Sequence, residues 1–193
     1  MEPKAVIFDF FGVLCSEPSP PWFSRYFAPD EAKRLKGLYC PRSDSGELSE
    51  SAWYDALGAL VKKESRVVER EFKGFIGVDE RMIALVRALK PFYKIGLCSN
   101  TMRTFIRDIF QRHGLTDLFD AVVISSECGI IKPDPRIFRL AAERLSVHPG
   151  EVVFVDDTLA NVRAAENVGM RAIVFSSVEG LTEELAKNHV GHL

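Results

Sequence analysis

The sequence predicts an α/β fold: a doubly wound, mainly parallel five-stranded sheet with an inserted helical segment. Five short runs are almost entirely apolar and rich in β-branched residues, which is typical of strands covered on both faces. These runs are AVIF, KIGLC, AVVI, EVVFV and RAIVF. Helical periodicity separates the later runs, and a repeated strand–helix alternation is the pattern of a doubly wound parallel sheet.

Three amphipathic helices are predicted between the later strands, over residues 101–113, 135–145 and 158–168. Each places apolar side chains three or four residues apart, as a helix that packs one face on a sheet requires. Gly114 is placed to end the first of these helices, and Asp134 is placed to cap the start of the second.

The interval between the first two strands is too long for an ordinary crossover, whose loops run about 2–6 residues. Residues 16–90 show helical patterns and no strand pattern, so either a long helical crossover packs on the core or a cap domain is inserted. We predict a core domain of residues 1–15 and 91–193 and a helical cap of residues 16–90. The Pro- and Ser-rich segment Ser16–Pro21 is predicted to be the entry linker.

Composition argues against several classes of function. The formal net charge is -2, without the positive footprint of a protein that binds nucleic acid or an anionic membrane. No apolar run approaches the ~20 residues of a transmembrane helix, and no signal-peptide pattern is present. The four cysteines form no C-x-x-C pair, so we expect reduced thiols. We expect a cytoplasmic monomer or homodimer with no nucleic-acid or membrane partner.

Polar side chains follow the strand patterns at the points where the strands end. They are Asp9, Ser99 and the pair Asp156 and Asp157, and Lys132 lies in the loop after the third strand. Because the carboxyl ends of parallel strands share one edge of a sheet, these groups should converge there.

The chemistry of such a cluster is specific. Crowded carboxylates repel one another and stay ionised only if a cation joins them. A few oxygen ligands with room for water suit Mg²⁺. With the Lys132 ammonium and the Ser99 hydroxyl, the site would receive a dianion such as phosphate. One carboxylate can then act as nucleophile and form an acyl-phosphate.

Four ordered segments carry a family resemblance. The segments VIFDFFGVL, LCSN, GIIKPDPRIF and VFVDDTLANVRAAENVGM resemble the four motifs of the haloacid dehalogenase (HAD) superfamily. The insertion after the first strand resembles that superfamily's helical C1-type cap. The resemblance spans the chain, and it implies a Rossmann-like core and a hydrolase that acts on a small molecule, foremost a phosphorylated metabolite.

The resemblance also assigns roles to individual residues. Asp9 matches the nucleophile of the family. Ser99 matches the hydroxyl that contacts the transferring group, with Asn100 beside it as a further phosphate-binding position. Lys132 matches the lysine that offsets the charge of the nucleophile and the phosphate.

The metal site of the family maps onto the same cluster. Asp156 and Asp157 match the acidic pair that holds Mg²⁺, and Asp157 is the better candidate for a direct ligand. Asp9 and the backbone carbonyl of Phe11 would complete the metal site. Asn161, four residues after Asp157 and so on the same helical face, matches a polar position often present in the family.

The departure from the family pattern is Phe11. Most phosphatases of the family carry a second Asp two residues after the nucleophile, where it protonates the leaving oxygen and then activates water. Such a group is worth about 10²–10⁴-fold in rate. Phe can do neither. The protein would then use water, the substrate or a cap residue as its proton source, or be a dehalogenase, or be a weak or inactive relative that acts by binding.

The intact acidic pair favours a phosphatase. The 2-haloacid dehalogenases of the family need no metal and carry neutral residues in place of Asp156 and Asp157, whereas two buried acids without a cation would be costly. The cap should exclude water and choose the substrate. Four residues of the insertion could face the substrate, although the two aromatic ones are more typical of a core: Trp22, Arg25, Tyr39 and Arg42.

Overall fold

The computed structural model describes residues 1–191, and its centre is one fully parallel five-stranded sheet. The strands are β1 (Ala5–Phe8), β2 (Lys94–Ser99), β3 (Ala121–Ile124), β4 (Val152–Asp156) and β5 (Arg171–Val174). Their order in the sheet is β3-β2-β1-β4-β5, and every neighbouring pair runs parallel. The predicted doubly wound α/β fold is confirmed.

Helices account for most of the rest of the described chain. They are α1 (Ser19–Tyr26), α2 (Pro29–Asp44), α3 (Glu50–Val61), α4 (Ser65–Lys73), α5 (Glu80–Leu89), α6 (Arg103–His113), α7 (Ser125–Cys128), α8 (Pro135–Arg144), α9 (Leu159–Asn167) and α10 (Val178–Lys187). A short 3-10 helix, Pro149–Glu151, precedes β4.

The central strand explains why the strand runs are continuously apolar. All four residues of β1 are fully buried. Successive side chains of a strand point to opposite faces of the sheet. Val6 and Phe8 therefore join the larger hydrophobic core, while Ala5 and Ile7 join the smaller one on the other face. Two buried faces remove any need for alternation with polar residues.

The three helices predicted between the later strands are present as α6, α8 and α9, each shorter by one or two residues than predicted. The end signals act as expected. Gly114 follows α6 in the left-handed conformation with φ 63°, which glycine adopts without steric cost. The side chain of Asp134 accepts a hydrogen bond from the Arg136 N–H and caps α8.

Helices α1 to α5 occupy the interval between β1 and β2, where no strand was predicted. Helix α1 packs on α2, α3 packs on α4, and α2 also contacts the short α7 beside the sheet. The predicted linker Ser16–Pro21 is wrong at its second half, because Ser19–Pro21 form the first turn of α1. Proline is tolerated there, since the first N–H groups of a helix have no partner within the helix. The division into core and cap domains stays a prediction.

Two further expectations concern the cysteines and membranes. All four cysteines are free thiols, and Cys15 and Cys98 are buried. Among the described residues, no helix has the length and apolar character needed to cross a membrane.

Candidate active site

The carboxyl ends of β1 and β4 bring three carboxylates together. Asp9 directly follows β1, Asp156 ends β4, and the Asp9 N–H donates to the Val155 carbonyl at 2.8 Å. One carboxylate oxygen from each of Asp9, Asp156 and Asp157 lies within 4.8 Å of the others. Parallel pairing of adjacent strands thus unites residues that are far apart in the sequence, as predicted.

Lys132 lies between two of these acids. Its Nζ is 2.8 Å from Oδ2 of Asp9 and 2.7 Å from Oδ2 of Asp156. The backbone of Lys132 is held in turn by Asn100, whose Oδ1 accepts from the Lys132 N–H at 2.8 Å and whose Nδ2 donates to its carbonyl at 3.0 Å. The Asn100 amide therefore positions the lysine through both of its polar groups.

Asp156 is fully committed to protein partners. Besides Lys132, it accepts a hydrogen bond from the Thr158 N–H at 2.8 Å and from Asn161 Nδ2, which is 3.0 and 3.1 Å from its two oxygens. Asp157 is exposed, and the Thr158 hydroxyl lies 3.2 Å from its Oδ1. Of the acidic pair, Asp157 has the oxygens that remain available for a further ligand.

The electrostatics of the cluster favour a bound cation. Burial raises the pKa of Asp9 to about 7; the Lys132 charge opposes this shift and the Asp156 charge adds to it. Burial, together with the Asp156 charge, also raises the pKa of Asp157. One lysine faces three carboxyl groups, so a divalent cation would relieve the repulsion that remains. The donor set, all oxygen, matches the preference of Mg²⁺.

The Ser99 hydroxyl stands out among the buried polar groups. It ends β2, is almost fully buried, and its Oγ has no hydrogen-bond partner in the part of the chain that the structure describes. Buried polar atoms in native proteins are normally paired, so such an atom suggests a missing ligand. Ser99 lines the same cavity as Asp9 and Lys132.

This cavity has a volume of about 480 Å³ and lies between the edge of the sheet and the helices of the insertion. Polar side chains that precede or belong to α1 and α2 line it from the insertion side: Glu17, Ser19, Lys33, Lys36 and Asp44. Glu17 and Lys36 form an ion pair at 2.6 Å. A small organic molecule fits a cavity of this size.

Phe11 also lines the cavity, as does Asp9. Its ring stacks on Phe105 with centroids 5.8 Å apart and meets the edge of Phe10 at 5.0 Å. The side chain thus belongs to an aromatic cluster, and it brings no proton donor or acceptor to the site.

The four insertion residues considered for substrate contact do not line this cavity. Trp22 is fully buried in the core and Tyr39 packs partly buried against it, which agrees with the expectation for the aromatic pair. Arg25 lies over the Phe75 ring at 5.0 Å, and Arg42 pairs with Glu47 at 2.7 Å.

Sequence reasoning missed the residues of α2 that do line the cavity. Lys33, Lys36, Cys40 and Asp44 recur every three or four residues, so they share one face of the helix. That spacing was readable in the sequence, but nothing in it shows that this face turns toward Asp9.

Comparison with known proteins agrees with this geometry. The family model described as haloacid dehalogenase-like hydrolase matches residues 3–169. A sesquiterpene phosphatase from Aspergillus oryzae is 29% identical over 171 residues, covering 86% of this chain and 87% of the relative. A D-ribitol-5-phosphate phosphatase from Bacteroides thetaiotaomicron is 28% identical over 183 residues, covering 86% of this chain and 88% of the relative.

The fold is shared with a solved HAD family enzyme from Bacteroides thetaiotaomicron, crystallised in complex with magnesium and inorganic phosphate. The TM-score is 0.77 at 20% identity, and the alignment covers 93% of this chain and 98% of that one. The placement in the HAD superfamily that the motifs suggested is confirmed by the family model. Since the family model spans most of the sequence, the chain belongs to the haloacid dehalogenase-like hydrolases.

Proposed function

We propose that the protein is a Mg²⁺-dependent phosphatase of a small phosphorylated metabolite, with Asp9 as the nucleophile. The observation that carries this proposal is the convergence of Asp9, Asp156 and Asp157, the first two paired with Lys132, beside a cavity that Asp9 and Lys132 line. Relatives named phosphatases that match most of the chain support the same reaction type.

The residues fit the metal that the family uses. Asp9, Asp157 and the backbone carbonyl of Phe11 would hold the ion, with Asp156 completing the acidic cluster. Bound Mg²⁺ neutralises charge on a phosphoryl group and on the carboxylates around it. Burial is the main cause that raises the pKa of Asp9 and of Asp157, and the Asp156 charge adds to it in both cases; a cation beside these carboxyl groups would oppose both effects.

The other catalytic roles belong to residues of the chain itself. The Asp9 carboxylate attacks phosphorus and forms an aspartyl-phosphate, which water hydrolyses in a second step. The Lys132 ammonium offsets charge on the nucleophile and the phosphoryl group, and Asn100 holds the lysine in place. The unpartnered Ser99 hydroxyl donates to a phosphoryl oxygen. Helices α1 to α5 form a cap that excludes water and selects the substrate.

Phe11 favours one alternative, a 2-haloacid dehalogenase, because a halide leaves without a proton. The intact pair Asp156 and Asp157 speaks against it, since metal-free chemistry would leave three acids with one lysine. The other alternative is a protein that binds phosphorylated ligands without hydrolysing them. It is also suggested by Phe11, because this side chain stands where an acid would be needed for hydrolysis.

A paired screen distinguishes the three functions. Phosphorylated metabolites and short 2-haloacids are each incubated with the protein in Mg²⁺ and in EDTA, and phosphate and halide are measured. We expect phosphate release that EDTA abolishes. Halide release unaffected by EDTA would establish the dehalogenase, whereas tight Mg²⁺ binding with no turnover would establish the binding protein.

A variant tests the nucleophile. Asp9→Asn should abolish turnover and leave the far-ultraviolet circular dichroism spectrum unchanged, because amide and carboxyl have nearly the same shape. Asp117→Asn, an exposed Asp in the loop before β3, is the matched control and should keep wild-type activity. Retained turnover in Asp9→Asn would refute the assignment.

A further inference from the structure

We propose that the Asp44 carboxyl, at the C-terminal end of α2, is the catalytic proton donor and acceptor that Phe11 cannot be. This inference rests on the proposed phosphatase function and adds a catalytic group from the cap. Hydrolysis of an alkyl phosphate through an acyl-phosphate needs a proton for the leaving alkoxide and then a base for the attacking water. Neither task can be performed by the Phe11 ring.

Asp44 is the one uncommitted acid of the cavity wall as the structure describes it. The acidic residues that line the cavity are Asp9, Glu17 and Asp44. Asp9 is the proposed nucleophile, and Glu17 is engaged by Lys36 at 2.6 Å and by the Ser19 hydroxyl. No described residue forms a hydrogen bond or an ion pair with the Asp44 carboxyl.

The backbone holds Asp44 in a fixed place relative to the sheet. The buried Ser125 hydroxyl, just after β3, donates to the Asp44 carbonyl at 2.6 Å and accepts from the Thr101 N–H at 2.9 Å. Gly46 packs so closely on α7 that a Cβ there would lie 2.8 Å from the Ser126 carbonyl oxygen. The end of α2 is therefore seated on the core beside the loop that follows β2.

The surroundings suit a group that must gain and lose a proton near neutral pH. Burial raises the pKa of Asp44 to about 7. The Glu17 charge also raises this pKa, and the Lys36 charge lowers it. The charges of Asp9 and Lys132 also reach Asp44 and oppose one another. A position at the negative end of a helix disfavours the carboxylate in the same sense. An acid–base group is most effective when its pKa lies near the working pH.

Every bond and proton is accounted for in the two proposed steps. As an Asp9 oxygen bonds to phosphorus and the P–O ester bond breaks, the protonated Asp44 carboxyl gives its proton to the departing oxygen, and a neutral alcohol leaves. The Asp44 carboxylate then takes a proton from water while the water oxygen attacks phosphorus. The bond between Asp9 and phosphorus breaks, inorganic phosphate leaves, and both carboxyl groups return to their starting states.

The test compares Asp44→Asn with the wild type on two substrates, an alkyl phosphate that the wild type hydrolyses and p-nitrophenyl phosphate. The alkoxide needs a proton, whereas p-nitrophenolate leaves without one. We expect kcat for the alkyl ester to fall by about 10²–10⁴-fold. For the aryl ester we expect a rapid burst of about one equivalent of nitrophenol followed by slow turnover, because the second step lacks its base.

Two further variants complete the design. Asp30→Asn changes an exposed acid at the opposite end of α2 and should keep wild-type rates on both substrates. Glu17→Gln should show no burst, because Glu17 is committed to Lys36. If Glu17→Gln rather than Asp44→Asn shows the burst, the assignment to Asp44 is overturned.

Other results of the same experiment would also overturn the assignment of Asp44. Asp44→Asn with an alkyl-ester kcat within about threefold of the wild type overturns the proposal, because a true acid–base group is worth far more. An equal loss in the first turnover of both substrates overturns it too, since that indicates a role in shape or binding. Circular dichroism and the aryl burst itself report that the variant is folded. Absence of turnover by the wild type refutes the phosphatase function and Asp44's role together.

Discussion

The Lys132 ammonium nitrogen lies 2.8 Å from Oδ2 of Asp9, and the lysine side chain is 1% exposed. Burial by itself would lower the pKa of Lys132, but the charges of Asp9 and Asp156 outweigh it and raise that pKa above its ordinary value. The lysine therefore stays charged, and the two carboxylates depend on it. Removing one partner of a buried ion pair leaves an uncompensated charge, which is the costly change.

We accordingly expect Lys132→Met to abolish turnover and to lower the free energy of unfolding by about 3–5 kcal/mol at pH 8. The loss should shrink toward pH 5, because Asp9, with its pKa already raised to about 7, can then take up a proton. Urea unfolding at the two pH values measures both effects. Lys187→Met is the control: its ion pair with Glu184 is exposed, and such pairs contribute about 0–1 kcal/mol. If Lys132→Met lowers the free energy of unfolding no more than Lys187→Met does, the two carboxylates do not depend on Lys132.

Metal binding should be visible as thermal stabilisation. A ligand that binds only the folded state adds about 2.7 kcal/mol at a concentration of 100 times its Kd. We expect MgCl₂ to raise the Tm of the wild type and EDTA to reverse the change. Asp157→Asn should lose most of this response, because Asp157 carries the uncommitted oxygens of the acidic cluster. Asp117→Asn should keep it, and an unchanged response in Asp157→Asn would remove that residue from the metal site.

The strand ends were predictable from the sequence because parallel topology alone determines where they meet. Asp9 follows β1 and Asp156 ends β4, so their convergence follows once these strands are recognised as neighbours. The polar neighbours of Lys132 follow in the same way from β2 and its loop. Local signals such as Gly114 and Asp134 were equally reliable, since each acts on the backbone next to it.

The side of the cavity that α2 lines was not predictable from the sequence, because it depends on how helices pack on one another. Asp44 and Lys36 look like ordinary surface charges of α2 until the helix is placed over the cavity. Helix α4 was not distinguished within the helical insertion: its sequence is mostly charged, and only Val68 and Phe72 are buried. In such cases tertiary contacts, rather than local propensity, decide which polar side chains face a site.

A pH experiment on the metal-free protein checks the environment of Asp44. Its pKa rises from an ordinary 3.8 to about 7 in the fold, chiefly through burial. The folded state then holds a proton that the unfolded chain releases, so Asp44 costs stability increasingly as pH rises from about 4 to 7. The cost is complete above that window.

All Tm values are measured in EDTA. We expect the Tm of Asp44→Asn minus that of the wild type to increase by at least about 3 °C between pH 4 and pH 8. Each unit of pKa shift corresponds to about 1.4 kcal/mol, and a chain of this size changes by about 2–4 °C per kcal/mol. Asp30→Asn should follow the wild type at every pH. Parallel curves for wild type and Asp44→Asn would show that the Asp44 carboxyl titrates normally.

The last prediction concerns Gly12, which lies in the loop after Asp9 and close to the Asp157 carboxylate. Its φ is +86°, and a Cβ added there would lie 2.3 Å from Oδ2 of Asp157. Gly12→Ala therefore incurs two costs: a left-handed backbone, worth about 1–2 kcal/mol, and the displacement of the Asp157 carboxylate. We expect it to lower Tm and to abolish the Mg²⁺-dependent rise in Tm.

Gly114→Ala separates the two costs, because Gly114 is also left-handed, with φ +63°, but a Cβ there would meet nothing within 4 Å. It should lose about 1–2 kcal/mol of stability through backbone strain alone and keep the full response to Mg²⁺. Differential scanning calorimetry with and without MgCl₂ measures both variants. If Gly12→Ala keeps the Mg²⁺ response while Tm falls only as far as in Gly114→Ala, the loop does not hold Asp157 in place. If the response disappears in Gly12→Ala alone, close approach of the loop backbone to Asp157 is a requirement of the metal site.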